Sequence, residues 1–275
     1  MNESPGRTSA LLDWYAENKR DLPWRQTTDP YAILVSEVML QQTQVARVVP
    51  HYMLFLERFP TVDVLAGADL REVLERWSGL GYNRRAVRLR QAARIISMEG
   101  WPEELEGLCR LPGVGRYTDA AIACFGFGRQ VAAPDINARR VLSRWMGEPL
   151  SGERLHEIAQ SQLPPGAAVE WNQALMDLGS AICRPTDPQC ASCPVSEWCP
   201  GPDVQAKSRP QGRFEGSVRQ ARGAALRALL DSGETSTKEL ERQTGLGTDR
   251  LSSALGGLVA DGLVVQSTDR YSLAR

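Results

Sequence analysis

A largely all-α protein ending in a small module of three helices and a hairpin is what this sequence predicts, and three observations carry that expectation. Apolar residues recur at three- and four-residue spacing up to about residue 200, with no confident strand among them. After Cys199 the stretch "GPDVQAKSRPQGRFEGS", rich in Pro, Gly and charge, interrupts the pattern and reads as a linker. Beyond it, three short helical patterns precede an alternating segment with a turn near Thr268 and Asp269. The 275 residues suit two or three domains with a sizeable core, and 42% hydrophobic with 24% charged residues are globular proportions. No apolar run approaches a membrane span, and the opening "MNESPGRTSALLDWYAENKR" lacks the apolar core of a signal peptide. The expected compartment is the cytosol.

The elements follow in order. The opening reads as an amphipathic helix. "YAILVSEVMLQQTQVARVVPHYMLFLERF" is helical and expected to break near Pro50. "DLREVLERWSGLG" starts at an aspartate and stops at glycines. "RAVRLRQAARIISMEG" is a further helix, and "ELEGLCRLPGVGRYTDAAIACFGFG" reads as helix, glycine turn, helix. "NARRVLSRWMG", "ERLHEIAQSQL" and "VEWNQALMDLGSAIC" complete the helical region. "VRQARGAALRALLDSG", "STKELERQTG" and "TDRLSSALGGLVADG" with "LVVQSTDRYSLA" form the pattern of a winged helix, which serves DNA binding or packing equally well.

Charge is nearly balanced, at a formal −1, yet residues 84–94 hold five arginines and no acid. Such a helix either tracks a phosphate backbone or presents a solvated face. Cys109 stands apart, and Cys124 reads as a small buried hydrophobe. Cys183, Cys190, Cys193 and Cys199 run C-x6-C-x2-C-x5-C. Disulfides are not expected in a cytosolic chain. Four thiolates suit zinc, although only one close C-x-x-C pair is present, and a compact single loop also suits a [4Fe–4S] cluster. His51 and His156 lie far from the loop in sequence and read as structural.

In "LPGVGRY" (111–117), Gly113 and Gly115 are expected to permit positive φ and bring backbone N–H groups close to a partner. The helix that follows would turn its free N–H groups toward a phosphate, as in a helix–hairpin–helix; a tight helical turn with no ligand is the plainer reading. Glu37 stands among Val35, Val38, Met39 and Leu40 and is followed by Gln41, Gln42 and Thr43. A charge on such an apolar helix is costly unless paired or functional. Asp135 and Asn137 precede a helix, where a plain N-cap explains the aspartate equally well.

Together "VSEVMLQQTQV", "LPGVGRYT", "PDINARRVLSR", "WNQALMDLGSAIC" and the four-cysteine loop resemble the endonuclease III superfamily of DNA glycosylases. "RDLPWR" and "EVMLQQTQV" are similar to its adenine glycosylases, which act on A opposite G or 8-oxoguanine. The likeness covers about residues 10 to 200. It implies a six-helix lobe over 21–128 and a second lobe from 1–20 with 129–205 that holds a [4Fe–4S] cluster on the four cysteines. A linker at 206–216 and a winged-helix-like module at 217–275 would follow. The implied partner is double-stranded DNA with an A:8-oxoguanine or A:G mismatch, bound by a nucleoid-associated monomer that flips the adenine out.

By the same resemblance Glu37, its pKa raised by an apolar helix, protonates adenine N7, and ionised Asp135 stabilises the oxocarbenium ion or bonds to it transiently. Asn137 orients the site. The lyase members carry a lysine where Tyr117 stands, so a monofunctional glycosylase with weak strand nicking at most is implied. Gln42 and Tyr82 resemble residues that wedge into the base stack; Gly113, Val114, Gly115 and Arg116 form the hairpin grip; Arg20, Trp24 and Arg25 resemble parts of an adenine pocket. The cluster would shape a loop that meets DNA. The C-terminal segment is too short for the Nudix-like domain of many adenine glycosylases, which leaves the 8-oxoguanine preference open. Asn83 and Ala138 are further, slight departures from the usual wording. A T:G-specific thymine glycosylase and a non-catalytic DNA-binding protein are the competing readings.

Overall fold

A computed structural model describes residues 5–102, 104–204 and 213–274, so most of the expected linker lies outside the described residues. Helices dominate, and among the described residues strands occur only between Thr235 and Leu273. The chain forms two compact units, one of residues 1–34 with 114–209 and one of residues 35–113 with 210–275.

In the first unit, helix Pro5–Asn18 packs on helix Ala168–Ala181, which in turn packs on helix Ile136–Met146. Their apolar faces meet around Leu11, Val141, Leu142, Trp171 and Leu178, all essentially inaccessible to water. Polar contacts at the rim orient the N-terminal helix: the Tyr15 hydroxyl donates to Gln173 at 2.5 Å, and the Arg7 guanidinium lies 4.4 Å from the Trp145 ring while bonding to Gln162. Helix Arg116–Ala121 runs into a wide π-helical turn, Ile122–Gly126. There Gly126 passes so close to Pro30 that a Cβ would sit 3.0 Å from its Cα.

The second unit contains helices Val45–Arg58, Val62–Gly67, Leu70–Trp77, Arg84–Glu99 and the short Leu105–Leu108. Phe55, Phe59 and Trp77 form its aromatic centre, with centroid separations of 4.8 and 6.0 Å. Thr61 and Asp69 cap their helices by accepting from Val64 N and Arg71 N, the role the aspartate suggested in sequence. Its C-terminal part has helices Val218–Ser232, Thr237–Thr244 and Thr248–Ala260. Strand Arg270–Leu273 lies antiparallel between Val264–Ser267 and the two-residue strand Thr235–Ser236, completing the winged-helix arrangement. Thr268, at φ +55°, turns the hairpin where the sequence placed it.

One expectation is corrected. Pro50 does not break its helix; it sits inside Val45–Arg58. The interruption comes earlier, between Leu40 and Val45, where Gln42 adopts φ +59°. The arginines of helix Arg84–Glu99 divide, with Arg85 and Arg90 buried and Arg84, Arg88 and Arg94 exposed. Arg84 pairs with Asp261 at 3.1 Å, Arg90 is buried and Arg94 bonds to the Ala66 carbonyl.

Arg85 explains the interruption. One of its Nη atoms donates to the carbonyls of Val38, Met39 and Gln41 at 2.8, 2.8 and 2.6 Å. The other donates to Thr43 Oγ1 and to the Gly81 carbonyl at 3.0 and 3.1 Å. A buried guanidinium thus ends helix Pro30–Leu40 in place of water. Burial pushes its pKa down to about 10, opposed by Tyr82, so it stays charged at neutral pH. Replacing Arg85 with Met should lower stability by about 3 kcal/mol, since several buried carbonyls lose a charged donor at once. Thermal denaturation would register this as a fall in Tm of roughly 10 °C, with Arg85→Lys recovering little of it because an ammonium lacks the planar fork.

Candidate active site

The segment leading to Asp135 is fixed from helix Ala168–Ala181. Asn172 accepts from Ala133 N at 2.8 Å through Oδ1, and its Nδ2 donates to the Val131 and Ala168 carbonyls at 3.0 and 2.9 Å. Tyr117, half-buried in the first turn of its helix, packs against the small cluster of Ala120, Ala121 and Ala133. It therefore stands near the backbone that carries Asp135.

Asp135 is the N-cap of helix Ile136–Met146. Its Oδ1 accepts from the backbone of Asn137 and Ala138 at 2.9 and 2.7 Å, and its Oδ2 accepts from Asn137 Nδ2 at 2.8 Å. Burial pushes the carboxyl above the ordinary aspartate range, while these donors and the charge of Arg140 pull the other way. Asn137 is held in turn by Arg140, whose Nη2 donates to its Oδ1 at 2.9 Å and to the Gly179 carbonyl at 2.6 Å. Arg140 Nε donates to the Cys183 carbonyl at 2.6 Å. Gly179 is required here because a Cβ would come 2.7 Å from Asn137 Cβ. Sequence reasoning named Asp135 and Asn137 but missed Arg140, Asn172 and Gly179; the buried polar residues within "WNQALMDLG" were the available signal.

Cys183, Cys190, Cys193 and Cys199 line one cavity of about 80 Å³, together with Leu178 and Ile182. Arg144 Nη1 donates to Cys183 Sγ at 3.1 Å. Burial, with the neighbouring sulfurs, raises the Cys193 and Cys199 thiol pKa values. Among the described residues no three His, Cys, Asp or Glu side chains stand close enough to hold a metal ion as placed.

Arg20 and Arg25 converge on Asp177, which is 2% exposed. Arg25 makes a two-pronged pair at 2.7 and 2.8 Å, and Arg20 Nε donates at 2.6 Å. Trp24 is buried between them in the chain, in a tight turn. Arg116 pairs with Glu153 on the surface at 2.5 Å, and the Val114 side chain is buried. Gly113 has φ +84°, and a Cβ there would lie 3.1 Å from Arg88 Cβ. The expectation of positive φ fails at Gly115: it is the extended N-cap of the next helix, as a helix start demands, and what its missing side chain provides is open space.

In the other unit Glu37 is 5% exposed within a helix buried from Tyr31 to Met39. Gln42 and Tyr82 are both exposed and both left-handed, at φ +59° and +48°. Two non-glycine residues in that region mark stored backbone strain of about 1 kcal/mol each. The carbonyls immediately before them, of Gln41 and Gly81, are the ones Arg85 holds. His51 bridges the Arg47 and Ser78 carbonyls, a structural role.

Residues 35–165 match the model of the HhH-GPD superfamily of base excision DNA repair proteins. The chain is 39% identical to the adenine DNA glycosylase of Mycolicibacterium smegmatis over 96% of its own length and 94% of that relative's. The chain belongs to the HhH-GPD superfamily. Among solved structures, this HhH-GPD protein is 32% identical to a thermostable thymine-DNA glycosylase, with a TM-score of 0.67 over 70% of this chain and 93% of that one. A trapped endonuclease III–DNA covalent intermediate shares the fold at 21% identity and a TM-score of 0.63, over 71% of this chain and 93% of that one.

Burial tends to raise the Asp177 pKa, but the hydrogen bonds and charge of Arg25, joined by Arg20, outweigh it and hold the carboxyl below the ordinary range. Its stabilisation is therefore complete above the unfolded pKa and disappears as pH falls through the lower folded value. Asp177→Asn in this superfamily member should cost about 3 kcal/mol at pH 7. Denaturant titrations should show that gap closing below about pH 4.

Proposed function

We propose that the protein is a monofunctional DNA glycosylase that removes adenine opposite 8-oxoguanine or guanine in double-stranded DNA, acting as a monomer on a flipped-out nucleotide. The observation that carries the reading is the Asp135 carboxylate, held by three hydrogen bonds at a helix N-terminus, with Tyr117 rather than a lysine following the glycine turn. Breaking the bond to adenine leaves negative charge on the base and positive charge on the sugar. Glu37, 5% exposed on an apolar helix, is the group assigned to donate a proton to adenine N7. Ionised Asp135 faces the oxocarbenium ion, or bonds to it until water releases the sugar. Asn137 keeps that carboxylate in place. Tyr117 offers no amine, so no Schiff base forms and the strand stays intact.

Gln42 and Tyr82 enter the stack, with their strained backbones pre-set for it, and the hairpin around Gly113, Val114, Gly115 and Arg116 grips the backbone through N–H groups. Arg20, Trp24 and Arg25 border the base pocket, with both guanidiniums oriented by Asp177. The four cysteines would hold a [4Fe–4S] cluster: four soft donors on one cavity, with Arg144 donating to a sulfur, suit that group. When bound it supplies a rigid anchor for the loop 183–199, and hydrolysis asks nothing of its redox chemistry. A cytoplasmic setting with the nucleoid as its place of work completes the reading.

Single-turnover base release from duplexes carrying A opposite 8-oxoguanine, G, C or T, with a T:G duplex alongside, tests it. Adenine release opposite 8-oxoguanine and G, abolished in Asp135→Asn, is expected. Thymine release would favour the thymine glycosylase reading, and no release of any base the non-catalytic one. The rate should also fall as acid protonates Asp135, at a pH above the ~3.9 of ordinary aspartate. A pH–rate profile level down to pH 4 would remove Asp135 from the role.

A further inference from the structure

The C-terminal module belongs to the same compact unit as Tyr82, and it reaches that residue directly. Arg219, in the first turn of helix Val218–Ser232, donates from Nη1 to the Tyr82 hydroxyl at 2.7 Å, and its Cζ lies 5.8 Å from the ring centroid. Arg85 approaches the same ring at 5.6 Å. Ser217 caps the helix that carries Arg219 by accepting from Gln220 N. The module is registered against its neighbours by two further contacts. Asp261 binds Arg222 of the module and Arg84 of helix Arg84–Glu99, the latter at 3.1 Å, and Arg71 donates to the Leu230 carbonyl. Arg219 therefore arrives at the phenol from a fixed platform.

We propose that Arg219 is a positioning residue for mispair recognition: it sets the direction in which Tyr82 projects, and through it the C-terminal module takes part in discriminating the base opposite adenine. This rests on Tyr82 being the wedge of the proposed function. A phenol side chain turns about its Cα–Cβ bond, and Tyr82 is an exposed, left-handed residue. A charge-assisted hydrogen bond at the far end of the ring removes that freedom before DNA arrives, which reduces the ordering cost of binding.

The test compares wild type with Arg219→Ala, Arg219→Lys, Tyr82→Phe and the Arg219→Ala/Tyr82→Phe double variant. Duplex dissociation constants and single-turnover rates are measured for A opposite 8-oxoguanine, G and C, with Tm recorded for each protein. Arg219→Ala should narrow the preference for A:8-oxoguanine over A:C by about tenfold, the size of one charge-assisted hydrogen bond, the loss falling more on binding than on the saturated rate. Tyr82→Phe, which deletes only the acceptor, should reproduce much of that loss, and Arg219→Ala should add less than about twofold in its background. Arg219→Lys should recover part of it. Losses that multiply in the double variant would mean that Arg219 acts on DNA by another route and overturn the proposal. A lower Tm with intact discrimination would reduce Arg219 to a structural contact and overturn it as well. Wild-type protein inert on A:8-oxoguanine would instead sink the underlying function, which separates the two failures.

Discussion

The buried guanidinium of Arg85 is the constraint around which the second unit is organised. A planar fork with donors pointing in two directions binds the end of helix Pro30–Leu40 on one side and the Gly81 carbonyl on the other. At the helix end these bonds supply a donor to the Val38 and Met39 carbonyls, while the Gly81 carbonyl also accepts from Trp77 Nε1 at 3.1 Å. Together they hold open the left-handed backbones of Gln42 and Tyr82, which neither residue would adopt alone. Strain of that kind persists only where surrounding bonds over-determine it. The charge stays on Arg85 despite burial because its carbonyl cage replaces much of the lost water.

A comparable economy operates in the first unit. Asp135 caps a helix and stands in the proposed site with the same carboxylate, so the two roles reinforce each other. The cap bonds fix the orientation of the group, and the helix N-terminus favours its charged form. Burial opposes that charge and holds the carboxyl above the ordinary aspartate range. Arg140 extends the arrangement by joining Asn137 to the backbone at Gly179 and Cys183. The loop bearing the four cysteines is thereby tied to the shell of the aspartate without any of its sulfurs touching it.

Legibility in sequence followed the physics of each feature. Helix periodicity, the capping aspartates and the hairpin at Thr268 are local, and they were readable. The four cysteines share a cavity that their compact spacing made geometrically reachable. What sequence could not display were partners distant along the chain. The arginine run of residues 84–94 has the composition of a phosphate-binding face, yet Arg84 and Arg85 are committed to Asp261 and to carbonyls as many as 47 positions away. Pro50 stays within its helix because one missing N–H in a helix with an apolar face is tolerated, whereas the interruption at Gln42 involves Arg85. The motif resemblance singles out Arg20 and Arg25, but the buried Asp177 that pairs with both lies 157 and 152 residues from them.

The C-terminal module contributes in a different currency from a domain that grasps a base. Its ion pair to the rest of the unit, Asp261 with Arg84, is partly exposed, and such a pair adds little stability. The consequence is geometric, because Asp261 and Leu230 fix where helix Val218–Ser232 begins and hence where Arg219 stands. Tyr82 is then constrained at both ends, by Arg85 through the carbonyl before it and by Arg219 at its hydroxyl. In the role proposed for Tyr82, a side chain constrained at both ends has less conformational entropy left to lose, so mismatched and matched stacks would be compared against a more rigid probe. A rigid probe converts small differences in how a base pair opens into differences in binding free energy, which a freely rotating ring would average away.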